Sequence, residues 1–195
     1  MLKIITTLSD RIAQTERGVL RMIALALPLM VLANVAGRAV RSPIYWMDEL
    51  SILLMVWLAM IGMSLTLKSR DAVAVTMLVD AVPSLLAKAM KILVDLLVLL
   101  FGITLLVLCY HWFDPVTLMR LGFDTREFSG ETFNFMYQDT TATLGVAKFW
   151  FWLVVPLVAA SISVHALSNL LRTVTTPVTV GISSGLLACN GGAKR

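Results

Sequence analysis

Four long apolar runs, interrupted only by isolated charges, set the pattern of this chain. A helix needs roughly 17 to 25 apolar residues to cross a bilayer core about 30 Å thick. The first run, between Arg21 and Arg38, reaches that length if both arginines snorkel to the interfaces. The second extends from Leu50 to Leu67, between Glu49 and Lys68, with Trp46 as an interfacial anchor. The third follows Asp95 from Leu96 to Phe113, with Lys88 and Lys91 on its first turns. The fourth lies between Lys148 and Arg172, opens with Trp150 and Trp152 and contains Pro156, as the first contains Pro28. The expectation is an all-α membrane domain over 19–172, with spans at about 20–40, 46–67, 85–112 and 147–171.

The stretches between the spans are expected to differ in kind. Ala72 to Val82 is apolar but too short to cross, about 16 Å as a helix, so a short amphipathic helix lying flat at the interface is expected there, closed by Pro83. In residues 1–18, Ile5, Leu8 and Ile12 recur at helical spacing beside Lys3 and Arg11, which suits an interfacial helix, with a loosely ordered tail as the alternative. The connection at about 113–145 is long and carries Phe123, Phe128, Phe133, Phe135, Met136 and Tyr137, so it is expected to pack on this chain's helix ends or on a partner. The 173–195 tail changes to Thr, Val, Ser and Gly and reads as a flexible segment.

Composition narrows the class. The chain of 195 residues is 58% hydrophobic and 14% charged, and its mean hydropathy is +0.86, outside the range of a water-soluble domain. Basic residues gather before the first span (Lys3, Arg11, Arg17, Arg21), between the second and third (Lys68, Arg70, Lys88, Lys91) and after the fourth (Arg172, Lys194, Arg195). Positive flanks resist translocation, so both termini are expected in the cytoplasm and the 113–145 loop in the periplasm. Removal of the first run as a signal peptide is the competing reading, disfavoured because it would leave three spans with termini on opposite sides.

Candidate chemistry is sparse. Cys109 and Cys189 fall on opposite sides of the membrane in this topology, which precludes a disulfide framework or a zinc site. His165 sits about 18 residues into the fourth span, roughly 27 Å deeper than His111, so one haem cannot take both; each reads as a packed or interfacial histidine. Nucleophile-elbow, phosphate-loop and zinc-helix motifs do not occur. No catalytic residue, cofactor or metal site is expected, and nothing suggests nucleic-acid binding. Each ionisable residue lies near a helix end, so the middle of the bundle is expected to be inert. Asp95 reads as the neutralising neighbour of Lys91, one turn away. The densest polar set is RSPIYWMDEL, from Arg41 to Leu50, where Asp48 and Glu49 need partners and Arg38 is the nearest candidate.

Taken together, Arg38 closing the first helix, Trp46 followed by Asp48 and Glu49, then Trp57, Gly62 and the flat helix ending at Pro83 resemble the small membrane subunit of TRAP (tripartite ATP-independent periplasmic) transporters. TLGVAKFWFWLVVP, from Thr143 to Pro156, is similar to that family's approach to its last helix. Two features depart from it: Ala72 stands where a His often opens the flat helix, and the 113–145 connection is longer than usual. The resemblance implies a scaffold subunit in the bacterial inner membrane. Its implied partners are a large membrane subunit that moves sodium and solute, a periplasmic substrate-binding protein, and membrane lipids. Organic acids are the implied solutes. Arg38, Trp46, Asp48, Glu49, Trp57 and Gly62 are the residues expected to organise the outer end or the partner interface, and Ala59, Gly62 and Ser64 would permit close helix approach. Two other classes compete: a self-sufficient homo-oligomeric transporter or channel, which could offer only Thr104, Ser161 and Ser163 as pore-lining groups, and a membrane redox subunit.

Overall fold

The computed structural model describes residues 2–69 and 82–176. The flat helix expected at about 72–82 lies almost wholly outside the described residues, as does the tail from 177 onward. The described residues are all-α apart from an isolated bridge between Thr140 and Ala147. Among the described residues, four segments are long and apolar enough to cross a membrane: Lys3–Ala39, Tyr45–Ser69, Ser84–Arg120 and Phe149–Thr175.

Helix α1 runs from Leu2 to Ala39 without a break at Pro28. At 1.5 Å per residue its 38 residues span about 57 Å, nearly twice the thickness of a bilayer core. Residues 2–18 are therefore helical and continuous with the first span. Its buried positions, Ser9, Ala13, Glu16 and then Ile23, follow three- and four-residue spacing, so one face is committed to the bundle along most of its length.

A tight turn leads to α2, Tyr45–Ser69. The turn depends on Gly37, whose absent Cβ would sit 2.8 Å from the Ser42 carbonyl oxygen. Arg41 holds the left-handed conformation beside it, φ 58°. The next described helix, α3, covers Ser84–Phe113 and ends at Asp114, φ 35°. Two short helices follow, α4 at Pro115–Arg120 and α5 at Thr125–Thr132. Asp114 and Asp124 cap them by accepting from Thr117 N, and from Arg126 N and Glu127 N. The last span is split into α6, Phe149–Trp152, and α7, Val154–Thr175, with Pro156 just past the interruption.

Helix α7 is the hub: it packs most extensively on α3 and also against α1 and α2, while α1 pairs with α2. Ile23, Ile61, Val154, Val158 and Ile162 form the core of the α1–α2–α7 side. On the other side α3 comes so close to α7 that a Cβ at Gly102 would lie 2.7 Å from Ser163 Oγ. The 113–145 connection packs on the ends of its own helices. Phe128 is fully buried, Tyr137 donates to the Phe113 carbonyl at 2.6 Å, and Asn134 donates to the Trp112 carbonyl at 2.7 Å.

Candidate partner interface and the polar clusters behind it

Two polar clusters mark the two ends of the bundle. At the end carrying the 113–145 loop, Asp48 on the first turn of α2 pairs with Arg38 and also accepts from the amide of Asn34. Asn34 Oδ1 in turn accepts from Ile44 N, so one short side chain fixes the α1–α2 turn to the start of α2. Arg38 is thus on Asp48, as the spacing suggests, and Asn34 is a further member of the cluster. Its signal was its position one turn before Arg38, on the same face of the helix.

Glu49 points elsewhere. Its carboxylate accepts from Ala142 N at 2.8 Å and Thr143 N at 2.7 Å, and from the Thr143 hydroxyl, which clamps the approach to α6 against α2. Adjacent acids on one helix therefore serve opposite neighbours, since successive residues project 100° apart. Trp46 and Tyr45 stay largely exposed and, with Pro43, Ile44 and Thr143, line an open cleft of about 430 Å³. Deeper along α2, the Trp57 indole donates to the Phe151 carbonyl at 2.8 Å, just before the interruption between α6 and α7. Among the described residues, a Cβ at Gly62 would meet nothing within 4 Å. Of the three small residues expected to permit close approach, only Ser64 is buried.

The other cluster was not legible as a unit. Ser64 donates to Glu16 Oε1 at 2.9 Å, and Glu16 Oε2 lies 3.4 Å from His165 Nε2. The opposite ring nitrogen, Nδ1, is 2.7 Å from Ser9 Oγ. Ser9, Ser64 and His165 are fully buried, and Glu16 is 8% exposed. Around them Lys68 Nζ donates to Ser9 Oγ at 2.6 Å and Asp10 Oδ1 at 2.7 Å, while Arg172 lies 3.5 Å from Asp10. Asn169 closes the set by donating to the Leu67 and Lys68 carbonyls. One connected network thus ties α1, α2 and α7 together. The expectation of an inert interior is corrected here: because α1 is continuous, Glu16 rides on its buried face and meets the packed His165. Asp95 is also buried and accepts from Thr173 of α7 at 3.2 Å.

The arrangement has the character of a framework. Among the described residues no group of three or more His, Cys, Asp or Glu side chains is placed to hold a metal ion. Ser163, one of the three candidate pore-lining residues, donates to the Ala159 carbonyl of its own helix at 2.8 Å. Ser161 borders a side groove of about 310 Å³ between α1 and α7, with Ile12, Glu16, Val19 and Trp57 among its walls. Thr104 lies on the exposed surface of α3.

The comparisons agree with this architecture. The family model described as "Tripartite ATP-independent periplasmic transporters, DctQ component" matches residues 27–176. No curated protein matches the chain. The matched region contains the Arg38–Asp48 cluster, the Glu49 clamp and His165, and begins after Ser9, Asp10 and Glu16. With four apolar helices long enough to cross a membrane and a family match over most of its length, the chain belongs to the tripartite ATP-independent periplasmic transporters, as their small membrane component.

Proposed function

We propose that this chain is the static scaffold of a sodium-coupled transporter. It packs against a large subunit that carries ions and solute, while a periplasmic binding protein delivers the solute, an organic acid in the reading that the resemblance suggests. The observation that carries the proposal is the network of Ser9, Asp10, Glu16, Ser64, Lys68 and His165. Its polar groups are spent on one another across three helices. A helix bundle cross-tied in this way resists sliding, which suits a wall against which another subunit moves. It suits neither a channel nor a redox carrier.

In this reading the positively flanked ends of the helices face the cytoplasm, and the Arg38–Asp48 and Glu49 clusters lie at the periplasmic surface. Those clusters set the entry angle of α2 and the start of α6. Trp46 and the open space beside Gly62 and Ala59 are then left for the large subunit's helices. The supporting facts are the exposure of Trp46 and, among the described residues, the absence of any neighbour within 4 Å of a Gly62 Cβ.

Co-purification tests this directly. A tagged chain co-expressed with the large subunit of its own transporter is expected to retain it through detergent extraction. Gly62→Leu, which fills the open space, is expected to weaken retention without unfolding the chain. Loss of the large subunit from the wild-type chain in every mild detergent, with the chain itself intact, would refute the scaffold reading.

A further inference from the structure

Among the described residues, the framework leaves Arg11, Arg17 and Arg21 of α1 without an ion pair, and two of them lie inward of the charged rim. Asp10 is bonded to Lys68 near the end of α2 and lies beside Arg172 near the end of α7, so these groups mark a charged rim where three helices come level. Arg17 and Arg21 lie seven and eleven residues further along α1, about 10 and 16 Å inward from Asp10 at 1.5 Å per residue. Both are exposed, and neither makes an ion pair among the described residues. Exposed guanidinium groups at that depth are costly unless an anion meets them. Beyond them, Leu25, Leu29 and Leu32 are 66%, 65% and 65% exposed, continuing the same outward side of the helix toward its middle.

We propose that Arg17 and Arg21 hold the phosphate of one anionic phospholipid of the cytoplasmic leaflet, with an acyl chain lying along Leu25, Leu29 and Leu32. The i to i+4 spacing places the arginines on adjacent turns of one side, roughly 6 Å apart at Cβ, which suits two planar guanidinium forks on one phosphate. The polarity is also right, because headgroup and tail are met in the order in which the bilayer presents them. A protein partner would have to bring carboxylates to this side of α1 and desolvate them, whereas the two arginines can snorkel outward to phosphates that the membrane already holds at its surface. The inference rests on the cytoplasmic placement of the N-terminal end and is independent of the large subunit's identity.

The test uses the full chain in nanodiscs of phosphatidylcholine alone or of an equimolar mixture with phosphatidylglycerol. It reads thermal unfolding, and retained lipid by native mass spectrometry. The wild-type chain is expected to unfold at a higher temperature in the mixture and to retain phosphatidylglycerol. Arg17→Gln/Arg21→Gln is expected to lose most of both effects. Arg17→Lys/Arg21→Lys, which keeps the charge and loses the fork geometry, is expected to keep part of them, and Arg120→Gln at the far end to keep them in full. Inorganic phosphate added to phosphatidylcholine discs is expected to reproduce neither effect. An unchanged response in the double Gln variant, or no difference between the two lipid compositions, would overturn the proposal. So would a double Gln variant that sheds the large subunit while keeping its lipid response, which would assign the ridge to the protein partner.

Discussion

Replacing Glu16 with Ala separates a structural network from a chance meeting of polar groups. The substitution removes the acceptor of the Ser64 hydroxyl, 2.9 Å away, and the neighbour of His165 Nε2, 3.4 Å away, and both partners are fully buried. Each buried group left unsatisfied costs about 1 to 3 kcal/mol, and relaxation recovers part of that, so a loss of roughly 2 to 4 kcal/mol is expected. Ser64→Ala breaks one bond and leaves Glu16 beside His165. Interhelical hydrogen bonds in membranes average about 0.6 kcal/mol and reach about 1.7, so its loss should fall in that range. Unfolding of the purified chain in mixed micelles, titrated with a denaturing detergent, gives both values. The Glu16→Ala and His165→Ala pair should couple by more than about 0.5 kcal/mol in a double-mutant cycle. Additive losses, or a Glu16→Ala variant as stable as wild type, would show that the cluster ties nothing together.

Other consequences follow from single contacts. Gly102→Ala places a methyl group 2.7 Å from Ser163 Oγ and should destabilise the α3–α7 contact by about 1 to 3 kcal/mol; adding Ser163→Ala should restore part of it in the same unfolding assay. Trp57→Phe removes the donor to the Phe151 carbonyl and should cost about 1 kcal/mol, with faster hydrogen exchange around 151–155. Glu49→Gln keeps the shape but weakens the clamp on Ala142 and Thr143, and limited proteolysis should then cut within 140–146 sooner than in wild type. Burial, and secondarily the Asp114 carboxylate, raise the Tyr137 phenol above its ordinary value. The stability it contributes is therefore fully present below a pH of about 10 and lost as pH rises through the raised value. Tyr137→Phe should flatten the alkaline limb of a stability profile, and a limb unchanged by that substitution would contradict the assignment.

The four spans were legible because hydrocarbon tolerates few charges, so interruptions such as Lys68 and Lys148 nearly coincide with helix ends. Arg38 meeting Asp48 was legible because the two are separated only by a tight turn. The Ser9–Glu16–Ser64–His165 network was not, since its members are up to 156 residues apart and periodicity says nothing about which helix faces which. Treating 1–18 as a separate piece also removed Glu16 from consideration, although Ser9, Ala13, Glu16 and Ile23 already marked one face. The close approach at Gly102 was hidden for a related reason: Gly62 and Gly102 look alike in sequence, and only the position of α7 distinguishes them. The packing of 113–145 on its own helix ends depends on Asp114 and Phe133 adopting positive φ, 35° and 54°. Neither residue type advertises that conformation as glycine would.

The most direct test of the central claim is solute uptake by proteoliposomes under a sodium gradient, with the periplasmic binding protein supplied outside. The chain alone is expected to give no uptake above empty vesicles, and the chain reconstituted with its large subunit is expected to give sodium-dependent uptake. Sodium-driven uptake by the chain alone would contradict the account.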